Sequence, residues 1–156
     1  MNHQKLFRGA GLIYRYQKLN CLSRRSWRLK WKPICASTEI ELSHWIAKKP
    51  VKKDQPKAIF ASSQKFGQGQ LGRYWHAPKG GVWVSAAINR EGFNTNNSEL
   101  YGLAVALAMV ERFGRIGIDV KIKWPNDLLV DDKKLVGILP RSVSYTHLTL
   151  PTICSV

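Results

Sequence analysis

The sequence predicts an α+β domain in which helices flank a mixed, mostly antiparallel sheet. Three observations support this: short apolar segments of strand length separated by turn residues, two segments of helical periodicity behind hydroxyl caps, and a hairpin pattern near the end. With 156 residues, 44% of them apolar, the chain can bury one core. No apolar run approaches the ~20 residues of a membrane span, so a cytoplasmic protein is expected.

A basic N-terminal extension is predicted over residues 1–26. The formal net charge of the chain is +15, and no acidic residue precedes Glu39. A charge of this size predicts anionic partners, although a basic segment is often only solvated. Charge alone does not choose between nucleic acid, an acidic membrane, nucleotide phosphates and an acidic protein.

The strands follow one another at short intervals. They are predicted over 27–32, where tryptophan and leucine alternate with arginine and lysine, and over 58–63, 82–88, 120–123, 128–130 and 135–139. The last two flank Asp131 and Asp132 and therefore indicate a hairpin. Residues 66–78 are rich in glycine and are expected to form an irregular loop.

Two helices are predicted from caps and periodicity. The first covers 39–46 behind Ser37 and Thr38, and its inward residues are Leu42, Trp45 and Ile46. The second runs from about 99 to 113 behind Ser98. Its expected inward face consists of Leu100, Leu103, Leu107 and either Met109 or Val110.

Cysteine and histidine spacing gives no sign of a disulfide framework or of a zinc site. The three cysteines lack a C-x-x-C spacing, and the four histidines stand alone in the sequence. Function must therefore be sought in other motifs.

The first such motif is the glycine-rich segment 64–75. Gly67, Gly69 and Gly72 allow backbone N–H groups to approach an anion, and Arg73 adds a planar cation. A loop and a strand follow where a dinucleotide-binding fold needs a helix, so the segment is not a dinucleotide fingerprint. An ordinary mobile turn is the alternative interpretation.

The second motif is Lys123–Asp127 followed by Lys134–Leu139. Pro125 interrupts the strand and places Asn126 and Asp127 at its end. Lys134 returns on the next hairpin strand, so that two ammonium groups and a carboxylate can converge. A strand end with solvated charges is the alternative.

Taken together, these segments resemble the biotin–protein ligase family. That family's pattern is a Ser-Thr pair, a Gly-Arg-Gly-Arg-x-Gly-Arg-x-Trp loop, Gly-Gly, Lys-Trp-Pro-Asn-Asp and Lys-x-x-Gly-Ile-Leu. The corresponding residues here are Ser37-Thr38, Gly67–Trp75, Gly80-Gly81, Lys123–Asp127 and Lys134–Leu139, in that order. The resemblance covers roughly residues 31–140 and implies the class II aminoacyl-tRNA synthetase-like catalytic fold of biotin synthetases.

The resemblance implies a biotin site. Hydroxyls and an amide would supply donors and acceptors to the ureido ring, and the Gly-Ile-Leu segment would wall the apolar valeryl chain. The biotin-site residues would be Ser37, Thr38, Gln64, Gly67, Gln68, Gln70, Gly137, Ile138 and Leu139.

The resemblance also implies an ATP or adenylate site and catalytic residues. The nucleotide site would consist of Gly69, Gly72, Arg73, Trp75 and Lys134, and the catalytic residues would be Lys134, Lys123, Asn126 and Asp127. Lys134 would stabilise the anion that forms as the biotin carboxylate attacks the α-phosphate. Asp127 would orient or deprotonate the acceptor lysine. Mg²⁺ is expected to enter with ATP.

The loop departs from the family pattern at two positions. Gln68 and Gln70 stand where the family has arginine. Amides can hydrogen-bond to phosphate but cannot neutralise it. Weaker retention of biotin and of the adenylate is therefore expected, unless Lys65 compensates.

The resemblance further implies an enzyme that transfers biotin to a lysine of the biotin carboxyl carrier protein of acetyl-CoA carboxylase. Only the basic extension precedes the first matching strand, so no DNA-binding module is expected. The sequence does not decide the oligomeric state, for which a homodimer is one candidate. The domain is expected over 27–141. Residues 142–156 are expected to be a non-native tail, because Val143–Thr152 resemble translated sequencing-adapter DNA; the chain would then be C-terminally truncated and itself inactive.

Three alternatives stay open. A lipoate–protein ligase would use related chemistry, but its Arg-Arg-x-Ser-Gly-Gly-Gly stretch is absent from the sequence. A nucleic-acid-binding module is favoured by the charge and by six tryptophans. A non-catalytic relic would explain the two loop glutamines.

Overall fold

The computed structural model describes residues 27–89, 98–143 and 148–155. The basic extension predicted over 1–26 lies outside the described residues. The helices are α1 Thr38–Lys48 and α2 Ser98–Gly114. The strands are β1 Arg28–Lys32, β2 Lys57–Ala61, β3 Gln64–Gln68, β4 Tyr74–Ala77, β5 Trp83–Asn89, β6 Lys121–Lys123, β7 Asp127–Val130, β8 Lys133–Val143 and β9 Leu148–Ser155.

The main sheet has the order β1-β2-β5-β9-β8-β7-β6, and β3 pairs with β4 in a separate hairpin. The β1–β2 pair is parallel and every other neighbouring pair in the main sheet is antiparallel. The α+β class with a mixed, mostly antiparallel sheet is therefore confirmed. Each strand predicted from the sequence is present, with shifted ends.

Helix α1 begins as the sequence predicts. The Ser37 hydroxyl accepts a hydrogen bond from the Glu39 backbone N–H at 3.2 Å and caps the helix. Leu42 is completely buried, and Trp45 and Ile46 pack against the same cluster. Arg141 of β8 forms an ion pair of 2.8 Å with Glu39, which fastens the start of the helix to the sheet.

The inward face of α2 differs from the prediction. Leu100 and Leu107 are 49% and 56% exposed, whereas Gly102 and Ala106 are buried. A Cβ at Gly102 would lie 3.1 Å from Cγ of Pro140 in β8, so the small side of the helix lies against the sheet. Close approach through small residues turns the two leucines outward. Met109 and Val110 pack inward, as expected.

The glycine-rich segment is more regular than the sequence predicts. Residues 66–78 were expected to be irregular, but β3 and β4 pair across them as a hairpin. A Cβ at Gly67 would lie 2.6 Å from the Trp75 carbonyl oxygen, so only glycine allows the two backbones to approach this closely. A short 3-10 turn at Gln70–Gly72 joins the two strands.

The two helices cover opposite faces of the main sheet. Trp83 of β5 and Gly137 of β8 both pair with position 154 of β9, and therefore lie on the same face. Trp83 packs with Trp75 of the β3–β4 hairpin on that face. Val136 and Ile138 point to the other face, into the cluster that packs against α2. The β3–β4 hairpin and α1 thus share one face, which carries the candidate site.

The segment expected to be a non-native tail also has described structure. Strand β8 extends to Val143, and β9 lies between β5 and β8. The domain boundaries and the non-native origin of 142–156 stay predictions. Within the described ranges, no helix is long and apolar enough to span a membrane.

Candidate active site

A buried cluster of polar side chains joins the start of α1 to β3. The Gln64 carbonyl oxygen accepts hydrogen bonds from the Thr38 backbone N–H at 2.7 Å and from the Thr38 hydroxyl at 3.0 Å. The Thr38 hydroxyl is also 2.8 Å from the hydroxyl of Ser85 in β5. Ser37 lies beside this cluster and is 3% exposed. Three residues predicted to bind the biotin head group, Ser37, Thr38 and Gln64, are therefore adjacent and buried.

Backbone hydrogen bonds hold the cluster in place. The N–H groups of Lys65 and Phe66 donate to the carbonyls of Cys35 and Ala36, at 3.0 and 2.8 Å. The chain before α1 thus runs alongside β3, which brings residues far apart in sequence into contact.

Cys35 lies beside this cluster and is not suited to act as a nucleophile. Burial raises the pKa of the Cys35 thiol, Glu41 raises it further, and Lys32 acts in the opposite direction. A thiol with a raised pKa stays protonated at neutral pH and is a poor nucleophile.

The second part of the site lies where β6 ends and β7 begins. Lys123 pairs with Asp127, which in turn pairs with Gly137. The Ile138 N–H donates to the Asn126 carbonyl at 2.7 Å, which fixes the intervening turn against β8. The sequence prediction that Asn126 and Asp127 lie at a strand end is confirmed.

Lys134 reaches Asp127 because β8 contains a bulge. Asp127 pairs with Gly137, but Leu129 pairs with Lys134, so Leu135 is an extra residue. In a regular strand Lys134 would point to the face opposite Gly137. The bulge turns Lys134 to the Asp127 face and Leu135 towards the core beneath α2. Lys134 Nζ lies 2.7 Å from Asp127 Oδ1.

Trp75 of β4 links the two parts of the site. Trp75 packs against the cluster that contains Cys35 and Trp83, and Lys134 Nζ lies 4.5 Å from the centroid of its ring. A Cβ at Gly137 would lie 2.8 Å from Trp75 Cη2 and 3.1 Å from Lys134 Cε. Glycine at position 137 is therefore needed for the tryptophan and the lysine to meet.

A small cavity of about 20 Å³ lies between the glycine turn and β8. All residues lining it belong to the sets predicted to bind biotin, bind the nucleotide or catalyse the reaction: Gln68, Gly69, Gln70, Trp75, Asn126, Gly137, Ile138 and Leu139. The Ile138 side chain is completely buried in the core beneath α2, however, so strand alternation leaves Gly137 and Leu139 on the cavity face. The Trp75 indole N–H is buried and has no hydrogen-bond partner within the described residues.

Some predicted residues lie at the margin of this arrangement. The side chains of Lys123 and Arg73 are exposed, and Gly72, at φ +73°, has open space around it. A larger cavity, of about 280 Å³, lies at the end of α2 between Val110 and Val120 and contains none of the predicted site residues. Its position therefore does not suggest a role in the same chemistry.

Sequence reasoning missed Ser85. Its signal was a serine at an inward position of β5, between the apolar residues Trp83 and Ala87; all three are buried. A polar residue in such a row needs a buried partner. The partner, Thr38, lies 47 positions away in the sequence and is identified only by the fold.

Known proteins share both the sequence pattern and the fold. The pattern of the biotin/lipoate A/B protein ligase family matches residues 41–155. The bifunctional ligase/repressor BirA of Bacillus subtilis is 39% identical over 83 residues, which are 52% of this chain and 25% of that protein. The chain spans a quarter to just over a third of the length of the curated relatives it matches.

Two solved structures have the same fold over most of the chain. The biotin protein ligase of Aquifex aeolicus, in complex with biotin and ATP, is 28% identical with a TM-score of 0.63 over 82% of this chain and 51% of that chain. The biotin acetyl coenzyme A carboxylase synthetase of Helicobacter pylori, with bound biotinylated ATP, is 24% identical with a TM-score of 0.70 over 82% and 60% of the two chains. The latter likeness shows the fold alone. From the family pattern, which covers most of its length, the chain belongs to the biotin/lipoate A/B protein ligase family.

Proposed function

We propose that the chain carries the biotin-activating site of a biotin–protein ligase. In the first step, the biotin carboxylate attacks the α-phosphate of ATP to give biotinyl-5′-AMP and pyrophosphate. In the second, a lysine of a carrier protein attacks the mixed anhydride, forms an amide and releases AMP. The observation that carries this proposal is Lys134, held between Asp127 and the Trp75 ring beside a glycine-lined cavity.

The position of Lys134 suits stabilisation of the first transition state. An ammonium group fixed on a strand can neutralise the negative charge that gathers when a carboxylate approaches a phosphate. Because Asp127 and Trp75 both contact Lys134, its side chain needs little rearrangement when the substrates bind. In this arrangement Asp127 orients Lys134, and it also stands where it could receive a proton from an incoming carrier lysine.

The polar cluster and the cavity would bind different parts of biotin. Ser37, Thr38 and Gln64 would bind the ureido ring, and Gly137 and Leu139 would contact the valeryl chain. The Trp75 N–H, which has no hydrogen-bond partner among the residues that the structure describes, offers a buried donor to an acceptor on the ligand. Arg73 and the backbone of the glycine turn would face the phosphates.

Substrate entry requires the glycine turn to move. A cavity of about 20 Å³ holds about one water molecule, whereas small-molecule sites usually measure roughly 300–1,000 Å³. The cavity is closed on one side by Gln68, Gly69 and Gln70, which belong to the hairpin rather than to the main sheet. Displacement of this turn would open the site and its return would cover the adenylate.

The second substrate is proposed to be the biotin carboxyl carrier protein of acetyl-CoA carboxylase. Magnesium would enter with the ATP phosphates and neutralise part of their charge. Gln68 and Gln70 would hold the adenylate less firmly than guanidinium groups would, because amides carry no charge. The proposed enzyme therefore activates biotin but retains the adenylate intermediate loosely.

The test is ATP–pyrophosphate exchange, measured with biotin and with lipoate. It should be run on the chain itself and, because a non-native origin is predicted for residues 142–156, on a version in which genomic sequence replaces them. We expect biotin to support exchange in the second protein. Exchange with lipoate and none with biotin would overturn the assignment in favour of the lipoate branch of the family.

A further inference from the structure

The buried hydroxyl of Ser85 occupies an unusual place in the sheet. It is completely buried in β5, and its inward neighbours Trp83 and Ala87 are apolar. Burying an unpaired hydroxyl is unfavourable, so a serine at this position needs a specific partner. That partner is the Thr38 hydroxyl at 2.8 Å.

The direction of the hydrogen bonds follows from the donors involved. The Thr38 backbone N–H can only donate, so the Gln64 atom that it contacts must be the carbonyl oxygen. The Thr38 hydroxyl contacts the same oxygen at 3.0 Å and must use its single proton there. In the bond between Ser85 and Thr38, the proton therefore belongs to Ser85.

These hydrogen-bond directions determine which groups of Gln64 are left to bind a ligand. Two hydrogen bonds from Thr38 fill the acceptor capacity of the Gln64 carbonyl oxygen, which leaves only the N–H donors of the amide for other partners. The neighbouring Ser37 hydroxyl already accepts from the Glu39 N–H, so its remaining proton is also a donor. The cluster thus presents donors and favours a ligand that presents an acceptor.

We infer that Ser85 is a positioning residue that makes this pocket selective for a head group with a carbonyl oxygen. It acts through Thr38, whose hydroxyl it orients towards Gln64. The inference rests on the proposed function, in which the head group is the ureido ring of biotin, and its carbonyl oxygen is the acceptor that the Gln64 amide N–H recognises.

The test compares two ligands that differ at this position of the head group. Biotin carries a ureido C=O, whereas 2-iminobiotin carries C=NH₂⁺ in its place at neutral pH and so has no acceptor there. We expect Ser85→Ala to weaken biotin binding about 5- to 10-fold and to leave 2-iminobiotin binding within about twofold. Ser62→Ala, at a half-buried serine just after β2, is the matched control and should change neither dissociation constant.

A double-mutant cycle tests the route through Thr38. Thr38→Val removes the hydroxyl but keeps the backbone N–H that contacts Gln64. In that background, Ser85→Ala should weaken biotin binding by less than about twofold, because the relay is already broken. Equal effects of Ser85→Ala in both backgrounds would overturn the inference.

The outcomes separate this inference from the proposed function. If Ser85→Ala left the preference for biotin over 2-iminobiotin unchanged, Ser85 would have only a structural role and the inference would be wrong. A lower melting temperature together with an unchanged preference would lead to the same conclusion. If the alanine variant does not fold, Ser85→Cys replaces it, with the same expectation because a thiol is a weak donor. If neither of the two versions used in the exchange assay bound biotin before any substitution, that result would instead contradict the proposed function.

Discussion

At the residue scale, the site depends on how Lys134 is held. Asp127 pairs with it at 2.7 Å and the Trp75 ring lies beneath it at 4.5 Å. Lys134 and Asp127 are partly exposed, at 33% and 22%, so the pair adds little to stability but does fix the direction of the ammonium group. A lysine placed in this way is available to a substrate carboxylate.

Replacing Lys134 by alanine should lower biotin-dependent pyrophosphate exchange by about 10²- to 10³-fold, because charge on the reacting phosphate loses its stabilising cation. The matched control is Lys133→Ala, at an exposed lysine one position earlier, which should leave the rate unchanged. Full activity in Lys134→Ala would contradict the role proposed for Lys134 and for the site built around it.

At the scale of the element, the β3–β4 hairpin positions the glycine turn over the cavity. Its strands can pair because Gly67 lies against the Trp75 carbonyl. Two of its glycines differ in their surroundings: a Cβ at Gly67 would lie 2.6 Å from that oxygen, and a Cβ at Gly69 would meet nothing closer than 3.4 Å. The first position is closed to side chains, and the second is in ordinary van der Waals contact.

Gly67→Ala should therefore lower the free energy of unfolding by about 1–3 kcal/mol, since the backbone must shift to admit the methyl group. Gly69→Ala is the control within the same turn and should change stability by less than about 0.5 kcal/mol. Urea denaturation of the two variants measures both values. Equal destabilisation would show that contact with the Trp75 carbonyl does not limit position 67.

At the scale of the whole molecule, the charge of the chain stands out. Lys and Arg number 25 against 10 Asp and Glu. Part of this charge is packed inside the fold. Lys57 is 6% exposed, and its pKa is lowered by burial first and then by Lys30, Arg28 and Lys49. The net positive charge of the chain should attract polyanions such as nucleic acids, whatever their base sequence.

The chain should bind RNA weakly and with a steep dependence on salt, because such binding comes from the release of counterions. Fluorescence anisotropy with a labelled oligonucleotide at about 50 and 500 mM NaCl measures this, and we expect at least a hundredfold loss of affinity. Binding that stayed tight at the higher salt would favour a nucleic-acid-binding role. Biotin binding, measured in parallel, should change much less.

The sequence by itself determined the fold class, six of the nine strands that the structure describes and the cap of α1, and its resemblance to the family supplied the residues that line the cavity. The fold class, the strands and the cap follow from local patterns, namely apolar periodicity and a hydroxyl before a helix, whereas the cavity residues follow from the order and spacing of the family's motifs. The tertiary structure alone decided that Lys134 faces Asp127, since this requires the bulge at Leu135, and that Ser85 meets Thr38. It also turned Leu100 and Leu107 of α2 outward, because Gly102 lies against Pro140. Such contacts join residues distant in sequence, and their geometry depends on strand register and on close backbone approach, which local patterns do not specify.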